Sequence, residues 1–191
     1  MSGNPFGNAG AFLIQAVFGL YILAVLLRLL LQWTRANFYN PISQFLVKVT
    51  NPALVPLRRI IPGLWGIDFA SVVLLLILQA LELALVALLF GQIPHISGLV
   101  VLAVAKLVGL VLNVFFFSIL LQVILSWVRP GDHNPLSDLL YSLNEPLLAP
   151  ARRLLPPISG FDLSPILVMI GIQLISILLV TPLTGMGQAL S

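Results

Sequence analysis

Residues 33 to 79 overlay residues 127 to 173 without a gap, at a constant offset of 94, so whatever this chain folds into it must fold into twice. Trp33 falls on Trp127, Arg35 on Arg129, Asn40-Pro41 on Asn134-Pro135, Ser43 on Ser137, Pro52 on Pro146 and Pro56 on Pro150. The register continues through Arg58-Arg59 on Arg152-Arg153, Pro62 on Pro156, Gly66 on Gly160, Asp68 on Asp162 and Gln79 on Gln173. Chance similarity between apolar segments matches Leu with Leu. Here the matches are charged residues, Pro and Trp, which is the signature of an internal repeat.

Between these landmarks run four stretches, about 11–32, 69–90, 99–126 and 164–183, each near or above the roughly 20 apolar residues that cross a bilayer core. With 60% hydrophobic and 8% charged residues the chain lies far from a soluble domain, in which about 25% are charged. Hydrocarbon offers no partner to an exposed peptide group, and no period of two runs through these stretches, so all four are expected to be helices. The fold class is an all-α membrane protein of four transmembrane helices arranged as two parallel two-helix repeats, residues 1–94 and 95–191. The first ten residues hold no Lys or Arg, so the N-terminus does not read as a cleaved secretory signal and is expected to be retained.

The segments 33–68 and 127–163 follow the first and third spans and therefore share one side of the membrane. They hold seven of the nine basic residues, whereas the N-terminal tail, the 91–98 link and the residues after Pro182 hold none. The positive-inside rule makes these segments cytoplasmic and both termini extracytoplasmic. Both repeats then insert in the same direction, which disfavours an inverted-repeat transporter. In each segment Asn-Pro reads as a helix cap followed by Pro at the first helical position. Ile42, Phe45, Leu46 and Val49, like Leu136, Leu139, Leu140 and Leu143, recur at helical spacing. This pattern predicts a cytoplasmic amphipathic or re-entrant helix of about ten residues, ended by Pro52 or Pro146, with a second proline-bracketed turn carrying the Arg pair.

Six residues of these segments are the candidate functional or lipid-facing set. Arg58, Arg59, Arg152 and Arg153 can anchor to headgroups or, gathered by the pseudo-twofold, form a basic mouth for an anion, a lipid phosphate or an acidic partner. Asp68 and Asp162 precede spans and suit helix capping. Within the spans, Glu82 and Lys106 fall at similar depth on antiparallel helices and have no charged counterparts in the other repeat, which points to a pair that docks the two halves. Gln79 and Gln173, with Asn113, are candidate interhelical amides. Arg28 is placed to snorkel toward the cytoplasmic face, Trp33 and Trp127 to sit in the interfacial belt, and Phe115-Phe116-Phe117 to face lipid.

No catalytic, cofactor or metal site is expected. Cysteine is absent, His95 and His133 fall on opposite sides of the membrane, and no zinc, nucleophile-elbow or P-loop motif occurs. The net charge of +3 is small and broken up by apolar blocks, which excludes a nucleic-acid surface and leaves membrane lipids as the natural anionic neighbour.

The recurring pattern W-x-R…N-P-[IL]-S…P…P-x-R-R-[IL]-[IL]-P-x-x-x-G-x-D, followed by a long apolar helix with Gln, resembles the YggT/YlmG family of small bacterial membrane proteins with chloroplast relatives. The second copy is fuller at Asp162-Leu-Ser-Pro165, where the first reads Asp68-Phe-Ala-Ser71. The resemblance implies the tandem two-repeat form and no enzymatic activity. It implies a role in osmotic-stress tolerance or ion homeostasis, with transport requiring a homo-oligomer because four helices are few for an aqueous path. The alternative it implies is a scaffold or assembly factor for cell division, nucleoid partitioning or cytochrome maturation, recruiting its partner on the cytoplasmic face.

Overall fold

The computed structural model describes residues 5–63, 68–128, 134–155 and 162–191. The expectations placed on Gly66, Arg129, His133, Pro156 and Gly160 lie outside these residues. Six helices form and, among the described residues, no strand: α1 (Pro5–Trp33), α2 (Pro41–Ile60), α3 (Phe69–Leu89), α4 (Ile96–Val128), α5 (Pro135–Leu154) and α6 (Ser164–Leu190). Helices α1, α3, α4 and α6 are long and apolar enough to cross a membrane. Their cores coincide with the apolar stretches; α3 keeps to its stretch, while α1, α4 and α6 reach further because end residues outside the apolar run still close backbone bonds within the helix.

In the first repeat α1 packs on α3 and α2 lies across both; in the second, α4 packs on α6 and α5 lies across both. The contact of α3 with α4 joins the repeats, and α5 also touches α1 and α2. The core gathers Ile22, Val25 and Leu26 of α1, Leu54 of α2, Leu74 and Leu75 of α3, Phe115 and Ile119 of α4, Leu143 and Leu148 of α5, and Ile172 of α6. It sits at the end of the spans where α2 and α5 rest. The other end closes through glycine: a Cβ on Gly98 would lie 2.6 Å from the backbone nitrogen of Ser191, and one on Gly187 would lie 2.6 Å from Leu102 Cγ. Larger residues at these two positions would push α4 and α6 apart.

Two expectations about helix ends fail. Pro52 and Pro146 do not terminate anything: α2 and α5 each run 20 residues, with Pro52 and Pro56 inside one and Pro146 and Pro150 inside the other. Each pair is spaced i, i+4 and exposed, so the carbonyls released by the missing N–H groups face outward rather than into the core. At about 1.5 Å per residue these helices are about 30 Å long, and the proline-bracketed turn is simply their second half. The fourth span likewise continues past Pro182, because a π-helical turn at Ser176–Val180 widens the hydrogen-bond ladder just before that ring. Phe115 departs from the lipid-facing expectation too, being buried while Phe117 is exposed, as helical rotation dictates for neighbours two positions apart.

Candidate functional site

The two motif segments begin with matched caps. Asn40 Oδ1 accepts from the N–H of Ile42 at 2.9 Å and Asn134 Oδ1 from that of Ser137 at 2.9 Å, with Pro41 and Pro135 opening the helices. Asn40 Nδ2 also donates to the Pro135 carbonyl at 2.6 Å, which seats the start of α2 against that of α5. One cap thus serves both repeats.

At their far ends the Arg pairs are split rather than pooled. The Arg58 guanidinium binds Asp68, Nε donating to Oδ2 at 3.1 Å, while Asp68 also caps α3 through Ser71, whose Oγ donates at 2.5 Å. Burial raises the Asp68 pKa, but the hydrogen bonds from Arg58 and Ser71 outweigh it and hold the carboxyl below its ordinary value. In the second repeat Arg152 turns first to Glu145, its terminal nitrogens donating at 3.2 and 2.6 Å to the two carboxylate oxygens, a pairing that raises its pKa. Asp162 lies 3.3 Å from Arg152 Nε and accepts from the Ser164 N–H at 2.9 Å. Glu145 overlays Asn51, so the first repeat has no such competitor. Arg59 and Arg153 stay exposed, and of the four arginines these two have no partner among the described residues and are open to headgroups or another protein.

Deeper in the spans, Lys106 Nζ donates to Glu82 Oε1 at 3.3 Å across the α3–α4 junction of the repeats, and Gln79 Nε2, on the same helix as Glu82, donates to Oε2 at 3.0 Å. Gln79 and Gln173 are not brought together: Gln79 is buried, whereas Gln173 on α6 and Asn113 on α4 are exposed. Among the described residues no group of His, Asp or Glu is gathered for a metal ion.

The feature that residue order least reveals lies under α2 and α5. Arg28 does not snorkel. It is buried beneath α2, where a terminal nitrogen donates to Thr50 Oγ1 at 2.6 Å and to the Val47 carbonyl at 3.5 Å. The corresponding positions of the second repeat hold Gln122 and Asn144, and Asn144 Nδ2 donates to Gln122 Oε1 at 2.7 Å while Ser118 Oγ donates to Asn144 Oδ1 at 2.6 Å. Both repeats therefore tie the helix after the span to that span through one polar pair, charged and buried in the first, neutral and half-buried in the second. The overlay contains the signal, polar replaced by polar at 28/122 and at 50/144, but a search for identical residues passes over it.

A model of the CCB3/YggT family matches the chain twice, at residues 7–89 and 101–183. The chain is 46% identical over 189 residues to an uncharacterised protein of Pseudomonas aeruginosa, covering 96% of each, and 38% identical over 185 residues to the uncharacterised YggT of Escherichia coli, covering 96% and 95%. It is 32% identical over 78 residues, 40% of this chain and 44% of the relative, to the chloroplastic CCB3 of Arabidopsis thaliana, a protein named for cofactor assembly of complex C. No solved structure matches.

Proposed function

This chain belongs to the CCB3/YggT family in its tandem two-repeat form, a multi-pass membrane protein, and we propose that it serves as a non-enzymatic assembly platform whose α2/α5 face docks a membrane-associated partner. One observation carries this reading. Within the spans Glu82 is taken up by Lys106 and Gln79, and Arg28 is anchored to Thr50 at the α2 end, an arrangement that fixes the helices and does not string charges along a path through the membrane. The α2/α5 face instead offers Arg59 and Arg153, exposed and without a partner among the described residues, and, toward the starts of the two helices, the exposed aromatics Phe38, Tyr39, Phe45 and Tyr141. Aromatic and Arg side chains are the usual anchors of a protein interface. By the positive-inside rule this face belongs to the cytoplasmic side of the inner membrane. The assembly role in the name of the plant relative agrees with this reading over one module's length.

A second reading, osmotic-stress tolerance or ion homeostasis through a homo-oligomer, draws on the exposed amides Gln173 and Asn113, which would face a path only between copies. Arg59→Gln with Arg153→Gln separates the two. The platform reading expects a stoichiometric partner recovered from membranes by crosslinking and lost in this variant, with ion flux in reconstituted vesicles at the protein-free level. Protein-dependent flux from the pure chain, with no partner sensitive to these substitutions, would favour transport and end the platform reading.

A further inference from the structure

At the end of α1, Arg28, Arg35 and Arg58 line, with Ser43, a cavity of about 380 Å³, whose remaining wall is Gln32 and apolar residues that include Phe38 and Leu46. Among the described residues no carboxylate lines it. Arg28 is held at its back by Thr50 and Val47, a cation installed in the fold rather than trailing into solvent. Ser43 Oγ is buried and, among the described residues, has no hydrogen-bond partner, a donor left open toward the cavity in the first turn of α2. The first turn of a helix also presents the positive end of its dipole.

Arg35 supplies an independent sign. The turn after α1 closes with the Ala36 N–H on the Leu31 carbonyl at 2.9 Å and the Arg35 N–H on the Gln32 carbonyl at 3.2 Å, which places Arg35 at the left-handed position of a Schellman motif. Its φ is +54°, the one positive φ among described non-glycine residues, where glycine is the relaxed choice. A strained arginine at a glycine position, with its side chain on a cationic cavity, indicates that the guanidinium is kept for what it binds.

We infer that this cavity is a binding site for a phosphate group, gripped by Arg28 and Arg35 and by the Ser43 hydroxyl, with Arg58 tethered by Asp68 at its rim. The apolar wall and the position at the membrane end of a span fit the headgroup of an anionic phospholipid, and a free phosphate shares the chemistry. The site lies in the first repeat. Its counterpart has Gln122 where Arg28 stands, and that residue is engaged with Asn144.

The second repeat also supplies the test. Full-length protein is reconstituted in phosphatidylcholine vesicles containing phosphatidylglycerol, and lipid retained through purification is counted by native mass spectrometry; binding of inorganic phosphate to the lipid-stripped protein is measured separately. The wild type should retain phosphatidylglycerol over phosphatidylcholine. Arg28→Gln with Thr50→Asn, which copies the other repeat's amide pair, should cut retention about tenfold, the worth of a charge-assisted hydrogen bond. Arg35→Gly should also weaken it while unfolding at no lower temperature than wild type, since glycine relieves the backbone. Lys48→Gln, on α2 but outside the cavity, should change it little. Phosphate bound with the same dependence on Arg28 and Arg35, without lipid preference, would identify a free anion as the ligand. Binding of neither, or binding indifferent to both variants, overturns the site.

Discussion

The two repeats fold alike and solve the same polar problem differently. Each must fasten α2 or α5 to a membrane span, and each does so with one polar pair and one Arg–Asp contact. In the first repeat the buried pair carries a charge and Arg58, half-buried, reaches directly to an enclosed Asp68. In the second the pair is neutral, and Arg152 is shared between Glu145 and a more exposed Asp162. An amide pair occupies the same place in the second repeat and avoids desolvating a charge, so the fold does not by itself call for a guanidinium at position 28. Duplication thus left one copy free to be structural while the other keeps an ionic centre.

Breaking the comparison should cost most where the enclosure is tightest. Asp68→Ala strands Arg58 and uncaps α3, and a loss of about 3 kcal/mol is expected. Asp162→Ala, at a contact open to solvent, should cost about 1 kcal/mol or less. Thermal unfolding in detergent checks both, and equal losses would erase the distinction. Glu82→Gln or Lys106→Met alone should each destabilise by up to about 2 kcal/mol, whereas the double variant should lose less than the worse single one. A doubly severe combination would show that the two groups do not act as a pair. Asn40→Ala should cost somewhat more than the roughly 1 kcal/mol of Asn134→Ala, because Asn40 also binds the Pro135 carbonyl.

The smallest effect is the pH dependence. Asp68 titrates below its ordinary value in the folded state, so its contribution is complete above the normal carboxylate range and is lost as pH falls through the depressed value. Acid unfolding of wild type should therefore steepen in that window, and Asp68→Asn should flatten the slope there. A variant with the wild-type slope would assign the acid sensitivity to other groups.

Much of this was readable from residue order. The four spans, the two parallel repeats, the Asn-Pro helix starts and Asp68 as a cap all follow from local rules, and the structure has each of them. The interior prolines were misleading because the rule that Pro ends a helix assumes that the freed carbonyl has nowhere to go, and on α2 and α5 it faces outward. The passage through Pro182 depends on a π turn for which the sequence carries no mark. Arg28 was misplaced for a different reason. Snorkelling is what an arginine near a span end does by default, and only the tertiary placement of Thr50 over it supplies a better partner.

The central claim is that the Arg28–Thr50 and Gln122–Asn144 pairs are interchangeable fastenings for the fold. A double-mutant cycle in thermal unfolding tests this most directly, with Arg28→Gln, Thr50→Asn and their combination. The claim predicts that each single change is destabilising and that the double variant recovers most of the loss, because it rebuilds the second repeat's amide pair in the first. A double variant no more stable than the worse single one would contradict it.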